Sequence, residues 1–244
     1  MAKVAVTDPV ILDLQIMATA TNYRRWIFDT FSSAIGQRVL EIGAGIGNFT
    51  ELLLDREFVL PTDIHRPCID VLKQRFSDRW SPPARLLDAA DPCVRDLAPL
   101  RFDTVICFNV LEHVADDQAA LQNMWNVLQP GGRLLLWVPA LPHLFGSVDV
   151  ALEHHRRYTR QSLSGEVRRA GFLIEGTHYV NFVGILGWWF NGSLLKRREE
   201  SFSQIGLFDR GVVPWLRPLE AIVPPPVGLS VALIARKPHP ATAT

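Results

Sequence analysis

The sequence predicts an α/β fold, a parallel sheet with helices on both faces, on three observations. Short apolar runs recur at strand length through the middle of the chain, helical patterns separate the later ones, and a glycine-rich turn, "GAGIG" at 43–47, closes the first. Right-handed crossovers between such runs make the sheet parallel.

Taken in order, "LDLQIMATATNYRRWIFDTFSSAI" reads as one or two helices ahead of the sheet. The runs Arg38 to Gly43, Phe58 to Asp63, Ala84 to Asp88, Phe102 to Phe108 and Arg133 to Pro139 are the first five strands, and the glycine turn after the first should lead into a helix. In "DDQAALQNMWNVLQ", Ala120, Met124 and Val127 keep a helical stripe, and Pro130 to Gly132 should end that helix and start the fifth strand. "YTRQSLSGEVRRAGF" places Thr159 as an N-cap and Gly171 just past a helix end, and a strand from Phe172 to about Val180 follows. Asn181 to Pro226 is too long for an ordinary connection and reads as an added subdomain or lid before a last strand, "LSVALIARK". The expected organisation is a single domain over 1–244. It comprises N-terminal helices (1–37), a cofactor-binding core (38–180), an aromatic and basic insertion (181–226), the last strand (227–238) and a disordered tail (239–244).

Composition narrows the function classes. Lys plus Arg and Asp plus Glu balance at 25 each, so no global field draws the chain to nucleic acid or an anionic membrane. No secretory signal is read at the start, and "YVNFVGILGWWF" is too short for a bilayer span, which needs about 20 residues. Cys68, Cys93 and Cys107 are scattered and lack C-x-x-C spacing, so a reduced, cytoplasmic protein without a metal site is expected.

The glycine turn points to a nucleotide, and Glu41 to which one. The pattern G-x-G-x-G is followed by Asn48, where a dinucleotide fingerprint places its third glycine. A pyrophosphate suits bare amides at a helix N-terminus, and a carboxylate two residues before the first glycine opposes that charge. S-adenosylmethionine has no phosphate and carries a cationic amino group and a sulfonium, so the acid suits it. Local capping or pairing is the alternative role for Glu41. Asp63, about twenty residues on, can accept both ribose hydroxyls, which either cofactor presents. Asp88 ends the third run, where it serves either the adenine amino group or the turn itself.

The segments "VLEIGAGIGNFT", "PTDIH", "LLDAAD", "FDTVICFNVLEHV" and "LQPGGRLLLWVP", in this order, resemble the class I S-adenosylmethionine-dependent methyltransferases over roughly Tyr23 to Pro139. The resemblance implies a Rossmann-like seven-stranded sheet, mostly parallel with an antiparallel last strand, and S-adenosylhomocysteine as the product. It implies that Glu41, Gly43, Ala44, Gly45 and Gly47 hold the methionine part, Asp63 with Ile64 the ribose side, and Asp88 with Ala89 the adenine. Asn109 to His113 would form the inner wall, and Tyr23 and Trp26 would close over the cofactor.

On the acceptor side, "NVLEH" stands where amino-directed DNA methyltransferases carry N/D-P-P-Y and cytosine enzymes need Pro-Cys, which weighs against nucleic acid. Asp116 and Asp117 sit at a helix start, where the helix dipole accounts for them without a catalytic metal. In "FGSVDVALEHHRRYTRQSL" histidines and arginines gather at a helix start, where positive charge is disfavoured. One reading makes His154 or His155 a base and places Arg157, Tyr158 and Trp188 on a substrate wall, with Arg156, Arg157 or Arg160 meeting an anionic group. The other is a solvated turn whose arginines pair with Asp149, Glu153 or Glu166. The segment also resembles bacterial small-molecule methyltransferases with an "HxRRYT" stretch, matched by His154, Arg156, Arg157, Tyr158 and Thr159. His113 reads first as a residue orienting the loop. In "ILGWWFNGSLLKRREE" the tryptophans can cap a pocket, dock on a second copy, lie on a membrane surface, or simply cover the sheet. The expected activity is metal-independent methyl transfer to a small molecule that is bulky, partly apolar and anionic, with oxygen ranked before nitrogen and carbon, by a monomer or homodimer in a biosynthetic pathway; the alternatives are a non-methylating S-adenosylmethionine-dependent enzyme, an accessory binding module and, after these, an NAD(P)-dependent oxidoreductase.

Overall fold

The computed structural model describes residues 8–80, 83–189 and 202–240. Strands β1 (Arg38–Ile42), β2 (Phe58–Asp63), β3 (Arg85–Leu86), β4 (Phe102–Phe108), β5 (Leu128–Pro139), β6 (Leu173–Val180) and β7 (Ser230–Arg236) form one sheet in the order β3-β2-β1-β4-β5-β7-β6. β7 runs antiparallel to both neighbours, and the pairings from β3 across to β5 are parallel. The seven strands and the lone reversed strand match the expectation.

Alternation along the central strands builds two cores. Leu134, Leu136 and Val138 of β5 pack on one face with α4 (Asp117–Val127) and α6 (Arg160–Arg169), through Leu121, Met124, Leu163 and Val167. Leu135 and Trp137 point to the other face, against Trp26, Ile27 and Phe31 of α2 (Thr21–Phe31) and Leu216 of α9 (Val213–Ile222). Burial on both faces is what a sheet wound by crossover helices requires.

Local signals set several ends. Thr159 accepts from the Ser162 amide at 3.0 Å, and Gly171 follows α6 at φ 99°. Asp116 caps α4 through the Ala119 amide at 2.9 Å.

Three expectations are corrected. The glycine turn leads into a 3-10 turn, Thr50–Leu53, rather than an α-helix; Thr50 is fully buried with its hydroxyl committed to Glu41. β5 begins at Leu128, five residues before Arg133, because Leu128 pairs with Phe102 and the Gly131 amide donates to Lys237 O, which extends the ladder through "PGG". β3 is shorter than Ala84 to Asp88, being an edge strand paired only with Thr62 and Asp63.

The two helices ahead of the sheet are α1 (Pro9–Ala18) and α2. In the insertion, α7 (Gly184–Trp189), α8 (Phe202–Gly211) and α9 are described. Phe190, Leu194, Leu195 and the basic run after them, with the tail beyond residue 240, lie outside the described residues. Asp209 of α8 accepts from the Tyr23 amide at 2.8 Å and the Asn22 amide at 3.3 Å. It thereby caps α2, whose own N-cap, Ala20, has no side-chain oxygen. Glu220 of α9 accepts from the Asn181 and Phe182 amides at 2.8 and 2.9 Å, so it anchors the start of the insertion. Among the described residues no helix is long and apolar enough to cross a membrane.

Candidate active site

The carboxyl ends of β1, β2 and β4 converge on the glycine turn. Gly43 has φ +72°, and a Cβ there would come within 2.0 Å of a Val110 methyl, so the turn and the loop after β4 touch where only glycine fits. Glu41 is 2% exposed, and one of its oxygens accepts the Thr50 hydroxyl at 2.6 Å. Burial pushes its pKa up to about 8, against the hydrogen bond from Thr50. No basic side chain among the described residues pairs with it.

Asp63 Oδ2 accepts the Gly45 amide and Oδ1 the His65 amide, each at 2.8 Å. Each oxygen keeps a second lone pair, so the carboxylate is aimed by the backbone and still able to accept hydroxyls. Ile64 beside it is 68% exposed. Asp88 accepts the Ala90 amide at 2.9 Å, the turn role foreseen for it, while Ala89 is buried. Asn109 adopts φ 53° and donates its amide to Trp137 O at 2.7 Å, which bends the chain at the end of β4.

Two aromatic positions differ from each other. Tyr23 packs edge-on against Trp26 and Trp137, partly buried. Trp26, expected over the cofactor, is instead 5% exposed in the core, because its side of α2 is the apolar one that faces the sheet. Sequence reasoning missed the cover that α1 supplies. Leu14 lies over Gly45, the Leu14 carbonyl accepts Asn48 Nδ2 at 3.0 Å, and Asp8 meets His65 Nε2 at 2.8 Å. The apolar positions Ile11 and Leu14 are the signal that could have found it, since they pack with Ile46 and Cys68.

The second cluster joins Glu112 and His113, after β4, to Asp149 of α5 (Ser147–Ala151) and to His154 and Arg157 just beyond it. His154 Nδ1 contacts Asp149 Oδ1 at 2.9 Å, and Arg157 Nε donates to the same oxygen at 2.7 Å. Asp149 Oδ2 accepts the Gly146 amide at 2.9 Å. Burial raises the Asp149 pKa, but the hydrogen bonds from His154 and Arg157 outweigh it and hold the carboxyl below its usual range. His113 stands edge-to-face with His154, ring centres 4.6 Å apart. It keeps an edge open to solvent, yet the protein crowded around it and the neighbouring His154 lower its pKa to about 4. Glu112 is 1% exposed, burial lifts its pKa to about 8, and its Oε2 has no hydrogen-bond partner. Glu112, His113 and His154 each bring one ligand-capable atom to within 4.8 Å of the others.

Arg157 and Tyr158, expected on the substrate wall, are turned inward. The Arg157 side chain is fully buried, bonded to Asp149 and to Ala140 O, with Trp188 4.3 Å from the guanidinium. The Tyr158 hydroxyl donates to Asp117 Oδ2 at 2.8 Å. Two buried carboxylates needed partners, and these residues supply them. Arg156 also pairs with Asp117, at 2.7 Å, and Arg160 lies over the Tyr179 ring. His155 is exposed, with its amide donating to Glu112 O at 2.8 Å. Trp188 is half-buried against the core.

The reversed seventh strand, the glycine turn at the end of β1, the buried acid before it and the acid ending β2 together define a class I S-adenosylmethionine-dependent methyltransferase. Glu41 has no cationic partner among the described residues, and Asp63 has acceptor capacity in reserve, so both fit a cationic nucleoside carrying a ribose. The chain belongs to the family described as "Methyltransferase domain", whose model matches residues 20–175. It is 26% identical over 212 residues to the ubiquinone/menaquinone biosynthesis C-methyltransferase of Vibrio campbellii, covering 75% of this chain and 81% of that protein. To the ubiquinone biosynthesis O-methyltransferase of Idiomarina loihiensis it is 27% identical over 143 residues, 52% of this chain and 57% of the relative. Among solved structures, a SAM-dependent methyltransferase from Archaeoglobus fulgidus superposes with a TM-score of 0.59 at 16% identity, covering 89% of this chain and 93% of the other. The [4+2]-cyclase SpnF does so at 0.60 and 18%, covering 89% and 80%. These last two likenesses concern the fold alone.

Proposed function

We propose that this methyltransferase methylates an oxygen atom of a small molecule, with His154 removing the acceptor's proton. The observation that carries the reading is the Asp149–His154 contact at 2.9 Å, which commits Nδ1 and leaves Nε2 as the free nitrogen beside the loop that ends β4. A buried carboxylate on one imidazole nitrogen fixes the tautomer and holds the ring in one orientation.

S-adenosylmethionine, when bound, supplies the methyl group on a sulfonium. Glu41 and the turn from Gly43 to Gly47 hold its amino-acid end, Asp63 its ribose, and Asp88 with Ala89 its adenine. Asn109 to His113 separate that pocket from the acceptor. In-line transfer depends mostly on positioning, and a base is needed only where the acceptor must lose a proton, as a hydroxyl does. Nitrogen and carbon acceptors rank after oxygen. In this reading Trp188 and α7 line the acceptor side, supported by the exposure of Leu186 on the same helix, and the acceptor is bulky and partly apolar. The relative named for an O-methyltransferase step of ubiquinone biosynthesis supports an oxygen acceptor as the first to try, and the relative named as a C-methyltransferase puts carbon acceptors in the same panel.

The test is His154→Gln, assayed by transfer of labelled methyl to a panel of phenols and catechols. Cofactor affinity should stay near wild type while turnover falls about a hundredfold or more. A full-rate variant would reduce His154 to a structural residue.

A further inference from the structure

The geometry points to a divalent transition-metal site made of Glu112, His113 and His154. It uses the cluster proposed to activate the acceptor but depends on neither the acceptor nor the cofactor.

Four features argue for it together. The donor set is one carboxylate and two imidazoles, the combination that suits zinc or ferrous iron and disfavours magnesium or calcium. The donor atoms are already within 4.8 Å of one another. Around a tetrahedral ion with bonds near 2.0–2.1 Å they would stand about 3.4 Å apart, so binding needs them to close by little more than about 1 Å. The Glu112 carboxylate is buried with Oε2 unpartnered, a cost that a buried acid seldom carries without a ligand to meet it. Finally, His154 has the outer partner that a ligating histidine has, since its Nδ1 is held by the Asp149 carboxylate at 2.9 Å. Arg157, which shares Asp149 with His154, is turned to that oxygen and to Ala140 O.

The exposed edge of His113 gives the site an entry path and open positions for water or an acceptor hydroxyl. An ion there would occupy the nitrogen that otherwise takes the acceptor's proton; it would lower the pKa of a hydroxyl bound to it, whose proton would pass to solvent water at the exposed edge. The expectation of no metal rests on the scattered cysteines and on Asp116 and Asp117 at a helix start; His154 lies about forty residues beyond the Glu112–His113 pair, with no short ligand spacing to mark it.

The experiment is titration of the full chain, stripped with a chelator, with Zn²⁺ and separately with Co²⁺, read by calorimetry, by metal analysis after gel filtration and by the visible Co²⁺ spectrum. One equivalent should bind, with a Co²⁺ spectrum of low coordination number. Glu112→Gln replaces the acid by a neutral isostere, and His113→Asn alters the solvent-open edge. Each should weaken binding by more than about a hundredfold, beyond the loss of an outer partner, with far-UV circular dichroism unchanged. No stoichiometric uptake, or uptake unchanged in either variant, would overturn the metal site. Slow turnover of His154→Gln in a protein that binds no ion would overturn the metal while leaving His154 as an unaided base. A metal-binding protein in which His154→Gln turns over at full rate would sink the proton-removal reading instead.

Discussion

Replacing Asp149 by Ala tests how the acceptor-side cluster is held together. Asp149 is fully buried and satisfies three donors, the Arg157 guanidinium, His154 Nδ1 and the Gly146 amide. Without it, among the described residues, Arg157 keeps a buried charge with the Ala140 carbonyl as its hydrogen-bond acceptor and the Trp188 ring beside it, and no carboxylate. Breaking a buried pair from one side costs about 3–5 kcal/mol. At about 2–4 °C per kcal/mol for a chain of this size, Tm should fall by about 6–20 °C. Differential scanning calorimetry at neutral pH measures this directly. The paired variant Asp149→Leu with Arg157→Met removes both charges and should recover most of the loss, while turnover stays low because His154 is no longer tethered. The pH dependence has a definite sign. The folded pKa of Asp149 lies below its ordinary 3.8, so its contribution is fully present above that value and is lost as pH falls through the lower folded one. Wild type and Asp149→Ala should therefore converge in stability only below about pH 4. A Tm within about 2 °C of wild type at neutral pH would refute the assignment of Asp149 as the buried anchor.

Glu41 should couple cofactor binding to protons. Its pKa of about 8 in the free protein means that a cationic ligand favouring the ionised form releases a proton at pH 7, so affinity rises with pH and levels off above about 8. Calorimetry in buffers of different ionisation enthalpy should detect that proton in wild type and lose it in Glu41→Gln; equal proton release in both would remove Glu41 from the site. Asp209→Ala uncaps α2 and should cost about 0.5–2 kcal/mol, read as a shift in urea midpoint with unchanged m-value. An unshifted midpoint would mean that water or Asn22 serves the α2 amides equally well.

Much of the fold was legible because burial leaves a short-range imprint. A strand buried on both faces is a run of apolar residues whatever its neighbours are, so β1, β2 and β4 were placed to within a residue. Thr159, Gly171 and Asp116 act on amides a few positions away, so the ends they set were readable too. The glycine turn was readable for a related reason, since positive φ at Gly43 and Gly47 restricts those positions to glycine. Where the ladder was decided by a distant partner, as at Leu128 against Phe102, the sequence misled.

By itself the sequence determined the order of strands and helices, the glycine turn and the acids that end β1 and β2, because those depend on side-chain periodicity and on contacts within a few residues. Only the tertiary structure decided which arginines and histidines of "EHHRRY" face inward, that Asp149 binds both His154 and Arg157, and that Glu112 and His113 meet His154. It also decided that Asp209 caps a helix 187 positions earlier. The physical reason is that a charge or hydrogen-bond donor is satisfied by whatever packing brings within about 3 Å, and along the chain that partner leaves no periodic trace.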